Sequence, residues 1–513
     1  LTRLARPASE THIVRLQSIH TRAQLGLDAP LITVETHLQP GVPGFTLVGL
    51  PESALRESRI RVKSAIQNSG LPYPEQRIVV NLAPADLAKE GTRYDLAIAL
   101  GILAANGTIR EAVLKDYEFV GELGLYGEIR GIRGALCAAL AARACGRKLV
   151  VPSTNLNEFL HARVDIVGVN SLHEVLSLLQ GKPIHSVARP VTSSPEPENI
   201  PAIYPQIIGQ QAAKRALLVA AAGAHHILMI GPPGAGKTML AQALPELLPD
   251  LGDEQAVEVA AIHSAAAIPT PAVRRPPVRA PHHTATSAAM VGGGPQARPG
   301  EISLSHRGIL FLDELPHFSP SVLEHLREPL QSGEIQLARA RFRLRYPAVF
   351  QLIAAMNPCP AGRSCRRETC RCSSQERLRY QRRISGPLLD RIDLHLRVSE
   401  LSANALANIG NEKESAPKQL VADSRNLQLR RQGCLNGALD PGATRTHAAM
   451  ASTAAALLNG AVERQHLSAR SYDKMLRVAR TVADLRGAEI IEAVDIAEAL
   501  SYRSLNWDQG VSG

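Results

Sequence analysis

The side chains with the plainest chemistry lie in Gly231-Pro232-Pro233-Gly234-Ala235-Gly236-Lys237-Thr238. Glycines at 231, 234 and 236 allow backbone conformations closed to other residues, so successive N–H groups can turn inward onto phosphate oxygens. Lys237 can then reach the β- and γ-phosphates of a nucleotide, and Thr238 can offer its hydroxyl to Mg²⁺. Downstream, Asp313 and Glu314 stand side by side. The first suits a Mg²⁺ ion held through water, the second a general base that polarises an attacking water. Asn357 could orient that water. Arg391, in Leu388-Leu389-Asp390-Arg391-Ile392-Asp393-Leu394, could reach into a neighbouring copy's site and stabilise transition-state charge. Its alternative is a surface salt bridge. Together these residues predict a site that binds and hydrolyses ATP with Mg²⁺.

Such side chains need strands to aim them. The apolar run Ile227-Leu228-Met229-Ile230 leads into the glycine turn, and Met239-Leu240-Ala241-Gln242-Ala243-Leu244 continues as a helix. The helix N-terminus adds partial positive charge where the phosphates would sit. Gly308-Ile309-Leu310-Phe311-Leu312 reads as a strand buried on both faces, as in a parallel sheet. Its acids fall at the carboxyl end, where open α/β sheets bind ligands. A third strand, Phe350 to Met356, ends at Asn357.

The chain has 513 residues and 45% hydrophobic content, enough for two or three domains with cores of their own. Aromatic residues make up only 3%, which disfavours base stacking as the main mode of nucleic-acid binding. A net charge of +10 and a pI near 9.4 favour a polyanionic partner. No membrane span is expected. Ala216 to Ile230 is broken by His225 and His226 and falls short of the about 20 apolar residues required. The N-terminal arginines lack an apolar stretch behind them, so no secretory signal is expected. Seven unevenly placed cysteines fit a reducing cytoplasm better than a disulfide framework.

Residues 188–206 are rich in Pro, Ser and Glu and read as a linker. Before it, Leu31 to His37, Phe45 to Leu50, Arg77 to Leu82 and Lys148 to Val151 read as strands, and Gly134 to Ala144 as a helix. Asn408 to Lys418 are polar and flexible in composition, and Leu420 to Tyr502 reads as helical, with apolar groups at helical spacing from Asp473 to Leu485.

Taken in order, GPPGAGKT, RAPHHT, GGGPQARPGEISLSHRGILFLDEL, AAMNPCP and SGPLLDRIDLHL resemble the magnesium-chelatase-like AAA+ proteins of the YifB/ComM family. SRIRVKSAIQNSGLPYPEQRIVVNLAPADLAKEG and LSARSYDKMLRVARTVADL extend the resemblance over nearly the whole chain. It implies an α/β fold. An AAA+ core at 207–400, with a Cys-rich loop at 359–372, would carry a helical lid at 401–513. An α+β domain with the fold of the Lon protease catalytic domain would occupy 1–187. By this resemblance, Lys237 and Thr238 match the Walker A residues, Asp313 and Glu314 Walker B, Asn357 sensor 1, Arg391 the arginine finger and Arg470 the sensor 2 arginine. Arg382 and Arg383 are alternatives for the finger, and Arg477 for the sensor. The family implies a homo-hexameric, ATP-driven motor that branch-migrates DNA during natural transformation.

Lon enzymes use a serine activated by lysine. The comparable loop here, Lys89 to Asp95, has no serine, and Gly131 to Cys137 has no lysine, so no activated nucleophile forms and a binding or assembly module is expected. Cys359, Cys365, Cys370 and Cys372 could supply four thiolates to Zn²⁺, the alternative being reduced thiols. Cys137, Cys145 and Cys434 are expected to be buried structural residues. Arg339, Arg341, Arg343 and Arg345 alternate with other residues. At a strand's period of two, all four would share one face and could contact DNA phosphates. The family implies a pore hairpin there, and a solvated strand face is the alternative. The leading expectation is a DNA-translocating ATPase. A chelatase motor for tetrapyrrole metallation and an ATP-dependent protease are the rivals.

Overall fold

The computed structural model describes residues 16–49, 52–87, 89, 91–183, 202–269, 274–294, 297–339, 342–361, 370, 372–400, 416–465 and 467–503. It shows a mixed α/β protein built around a parallel sheet. That sheet follows the order Val278–Arg279, Ile309–Leu312, Gln351–Met356, Ile227–Ile230, Leu394–Arg397, and every pairing in it is parallel. The central strands are buried along their whole length, so their apolar runs are continuous rather than alternating. Parallel pairing brings all the carboxyl ends to one edge, and three of the expected site segments leave from there.

The C-terminal residues fold as helices Pro417–Gln432, Pro441–His447, Ser452–Gln465, Ala469–Leu485 and Ala493–Ser501. Met475, Ala479 and Val482 share one core with Leu217 and Ala220 of helix Gln211–Gly223. Of the expected linker, residues 202–206 fold onto this core. Tyr204 is buried, and the N–H groups of Ile203 and Tyr204 donate to the Glu246 carboxylate at 2.7 and 3.0 Å.

The N-terminal unit has a sheet of its own, in the order Leu16–Arg22, Leu31–Gln39, Arg77–Ala83, Gly44–Val48. The Leu31 and Gly44 strands are joined in sequence but are not neighbours, because Arg77–Ala83 lies between them and pairs antiparallel with one and parallel with the other. Helix Asp95–Ala105 is buried throughout. Gly101 permits its approach to the sheet, since a Cβ there would come within 2.4 Å of Thr36 Oγ1.

Helix Asp253–Ala266 joins the two units. On one side Gly134 N donates to Ser264 O at 2.9 Å, Leu136 N donates to Ser264 Oγ at 3.2 Å, and Ser264 Oγ bonds Glu158. On the other, Glu258 accepts from His306 Nε2 at 3.1 Å and Arg307 Nε at 2.8 Å, just ahead of the Ile309–Leu312 strand. The strand pair Glu334–Arg339 and Phe342–Pro347 also touches the N-terminal unit. Leu344 and Tyr346 are buried in a core against which Leu25 and Leu27 pack. None of the described helices is long and apolar enough to cross a membrane.

Candidate functional site

The glycine turn leaves Ile227–Ile230 and feeds helix Lys237–Leu247. Gly234 and Gly236 have φ of +82° and +89°, a region that glycine enters without a Cβ penalty. Lys237 is buried, and its Nζ donates to Gly231 O at 2.7 Å, Pro232 O at 2.9 Å and Asn357 Oδ1 at 3.1 Å. Burial lowers its pKa, and Asp313 and Glu314 oppose the shift. Thr238 Oγ1 donates to Asp313 Oδ2 at 3.0 Å. The sheet therefore brings together the ends of three adjacent strands, carrying Lys237 with Thr238, Asp313 with Glu314, and Asn357. Pro232, Pro233 and Ala235 form the turn between them.

Glu314 is half exposed, and its backbone is left-handed at φ 52°. Its N–H donates to Asp313 Oδ1 at 2.8 Å. His283 Nδ1 lies 3.6 Å from Glu314 Oε2, within reach of an ionic contact but beyond a hydrogen bond. His283 had no assigned role from sequence. The His282-His283 doublet behind an edge strand was the available signal, and only the pairing of Val278–Arg279 with Ile309–Leu312 shows where it leads.

Arg391 and Arg470 are not near their own Lys237. Both line a cavity of about 720 Å³. Its wall includes His226, Gly308, Gln351 and Asp393, which lie at or just before the starts of the parallel strands. The cavity is thus at the opposite sheet edge from the phosphate turn. Arg391 Nη1 donates to Pro387 O at 2.7 Å and Nη2 to Gln331 Oε1 at 2.8 Å, while Nε is buried without a partner. Burial, then the like charges of Arg327 and Arg470, lower its pKa. Arg470 is exposed at the start of helix Ala469–Leu485. Of the alternatives, Arg477 lines the same cavity. Arg477 Nη1 donates to Gly437 O and Leu439 O at 3.2 and 2.9 Å, a tie between C-terminal segments. Arg382 and Arg383 are exposed, with Arg383 3.4 Å from Pro316 O.

The arginine row needs correction. Arg339 ends one strand and pairs with Phe342, which begins the next, so the row is divided between two antiparallel strands where the sequence predicted one. Only Arg343 and Arg345 remain in phase on one strand, both exposed and opposite Ala338 and Gln336. Arg339 closes the other strand out of phase with them, and Arg341 lies outside the described residues.

The zinc expectation is not supported. Cys359, Cys370 and Cys372 bring their sulfurs within 4.8 Å of one another, but Cys370 is disulfide-bonded and offers no thiolate. Cys365 lies outside the described residues. Cys137 is buried, and burial raises its thiol pKa to about 11. Cys145 is exposed, contrary to expectation, and Cys434 is partly exposed.

In the N-terminal unit, Lys89 Nζ donates to main-chain carbonyls of Pro84 and Leu87. Arg93 is buried, and its Nη1 and Nη2 donate to Gln24 Oε1 at 3.2 Å and Arg133 O at 3.0 Å. The described part of the Lys89–Asp95 loop holds no serine, and its Thr92 hydroxyl donates to the Glu122 carboxylate.

Three family models match the chain. "Magnesium chelatase, subunit ChlI" covers residues 204–406, "Subunit ChlI of Mg-chelatase" residues 34–155, and "Magnesium chelatase, subunit ChlI C-terminal" residues 411–503. The chain is 45% identical over 497 residues to the protein YifB of Escherichia coli, covering 96% of this chain and 97% of that one. It is 43% identical over 499 residues to competence protein ComM of Haemophilus influenzae, covering 96% and 98%. Similarity to the magnesium-chelatase 38 kDa subunit of Rhodobacter capsulatus is narrower, at 29% over 177 residues, covering 30% and 50%.

Proposed function

The chain belongs to the YifB/ComM family of magnesium-chelatase-like AAA+ ATPases, and we propose that it is a ring-forming motor, a homo-hexamer, that hydrolyses ATP to move branched DNA. The observation that carries the ATPase reading is the convergence of Lys237, Thr238, Asp313, Glu314 and Asn357 at one sheet edge. Lys237 would exchange its carbonyl partners for phosphate oxygens. Thr238 and Asp313 would hold Mg²⁺, which neutralises phosphate charge. Glu314 would take a proton from the attacking water while Asn357 orients it. Arg391, with Arg470 beside it, lies at the far sheet edge and would serve a neighbouring subunit's nucleotide, which makes the ring a condition of turnover.

The DNA reading rests on the exposed pair Arg343 and Arg345 and on the net charge of +10. The curated relative named as a competence protein fits action on incoming DNA. Similarity to a magnesium-chelatase subunit keeps a metal-insertion motor as the second reading. ATP turnover measured with and without forked DNA separates the two. The DNA motor predicts stimulation that Arg343→Ala/Arg345→Ala abolishes while basal turnover persists. The same double variant should reduce the slope of log affinity against log salt by about 0.7–0.9 for each lost phosphate contact. Turnover indifferent to DNA in the parent protein would refute the DNA reading and favour the chelatase type.

A further inference from the structure

We propose that Lys474 is a positioning residue that holds Arg391 and Arg470 at a fixed separation, so that the two act together on a neighbouring subunit's nucleotide. The proposal rests on Arg391 acting in trans. Arg470 and Lys474 lie four residues apart in helix Ala469–Leu485, hence on one face. Both line the cavity that also holds Arg391. Lys474 Nζ donates to Ile392 O at 3.2 Å and lies 3.8 Å from Asp393 Oδ1, and Ile392 directly follows Arg391. One ammonium therefore bridges the helix that carries Arg470 and the segment that carries Arg391.

The two arginines need such a bridge, because nothing in their own charges draws them together. The Arg470 charge opposes that of Arg391, and Arg470 stands in the first turn of its helix, the end where a cation is least favoured. Lys474 would add to the repulsion but for Asp393. Their side chains are only 13% and 7% exposed, so the pair neutralises itself inside the protein. Burial would raise the Asp393 pKa, but the His225 hydrogen bond and the Lys474 charge hold it well below the usual carboxylate range. Asp393 receives a second tie from the same helix. Buried His225 places Nδ1 3.4 Å from Asp393 Oδ2 and Nε2 2.8 Å from Thr481 Oγ1. Thr481 lies seven residues beyond Lys474, about two turns along. Contacts two turns apart fix the angle of the helix on the Asp393 strand as well as its distance.

The test is Lys474→Met, which removes the charge and keeps the bulk, measured alone and in mixed assemblies. ATP affinity should stay as in the parent, because Lys237 lies at the opposite sheet edge. Turnover should fall by about 10- to 100-fold, since a misplacement on the order of 1 Å can cost about 10²-fold. Mixing with Lys237→Ala subunits should restore part of the activity, because those subunits bring an intact arginine pair to an intact Lys237. Mixing with Arg391→Ala subunits should restore none, both lesions lying in the same pair. Lys474→Arg keeps the charge and a donor, faces a cavity of about 720 Å³, and should retain most of the parent turnover. Should Lys474→Met not melt as the parent does, the shorter, uncharged Lys474→Gln takes its place with the same expectations. Parent-like turnover in the uncharged variant would overturn the proposal, as would a loss that Lys237→Ala subunits cannot relieve or that Arg391→Ala subunits can. If Arg391→Ala is itself not relieved by Lys237→Ala, the trans reading falls, and the role of Lys474 falls with it.

Discussion

Two buried cations, Arg93 in the N-terminal unit and Lys237 in the ATPase core, show how similar ingredients are put to different use. Both donate to protein acceptors. Arg93 bonds Gln24 Oε1 and Arg133 O near the docking cluster, where Glu158 meets Ser264 of the ATPase core. Both of those acceptors belong to its own unit, and the side chain is buried. Lys237 bonds carbonyls of its own turn and Asn357, but Gly234, Gly236 and Thr238 around it are exposed. A phosphate can replace those carbonyls without unfolding anything. In the N-terminal loop the same replacement would require buried groups of that unit to part. The first cluster holds the N-terminal fold together, and the second is a site.

The sharpest way to break this comparison lies at the far sheet edge. Arg391→Ala should lower turnover by about 10³-fold or more, as removal of an arginine finger does, and Lys237→Ala should abolish nucleotide binding. Mixing the two inactive variants should restore part of the activity, because some interfaces then combine an intact Lys237 with an intact Arg391. Mixtures as inactive as their components, or a fully active monomer in sedimentation, would remove the trans assignment.

Within the ATP site, Glu314→Gln should keep nucleotide affinity and lose about 10²–10⁴-fold in turnover, the range of a general base. Near-parent hydrolysis would mean that another group takes the proton. This part of the site was legible in sequence because the phosphate turn is contiguous and the acids and Asn357 each follow an apolar strand. What sequence left hidden depends on pairing between distant segments. Arg391 and Arg470 share a cavity only because the helix bearing Arg470 packs on the core. His283 meets Glu314 only because an edge strand aligns beside Ile309–Leu312. The arginine row was misjudged because no Gly, Asn or Pro falls within residues 338–346 to signal a break between two strands. The docking role of helix Asp253–Ala266 gave no signal at all, since Ser264 and Glu258 are ordinary helix residues until their partners are known.

The N-terminal side of the comparison is sharpened by Arg93→Met. Leaving Gln24 Oε1 and the Arg133 carbonyl without their donor in a buried place should destabilise the protein by about 2–4 kcal/mol. Hydrogen exchange should rise in helix Asp95–Ala105 and across the Gly134–Ser264 contact, while ATP affinity stays as in the parent. Unchanged exchange together with lost ATP binding would mean that the cluster serves the nucleotide site after all.

Acid should affect the two regions in opposite directions. In the ATPase core, burial lowers the pKa of His226 and of His395 to about 4, so both are neutral in the fold. Between that value and the ordinary 6.5 the unfolded chain binds more protons than the native one, and stability falls as pH falls through the window. Each histidine contributes on the order of 1–3 kcal/mol by pH 4. In the N-terminal unit, burial raises the pKa of Asp95 and Glu158 despite their bonds to Arg61 and Ser264. There the native state holds protons that the unfolded chain has released, so mild acid relieves a penalty. Hydrogen exchange from pH 7 to pH 5 should therefore accelerate, after correction for intrinsic rates, in Gln351–Met356 and Leu394–Arg397 before it does in Asp95–Ala105. His226→Gln, which keeps an acceptor for the Leu352 N–H now 3.0 Å from His226 Nδ1, should flatten the acid slope of the core and leave that of the N-terminal helix alone. Equal acid slopes in the two regions would show that they unfold as one unit, which would make the docking helix Asp253–Ala266 a rigid joint.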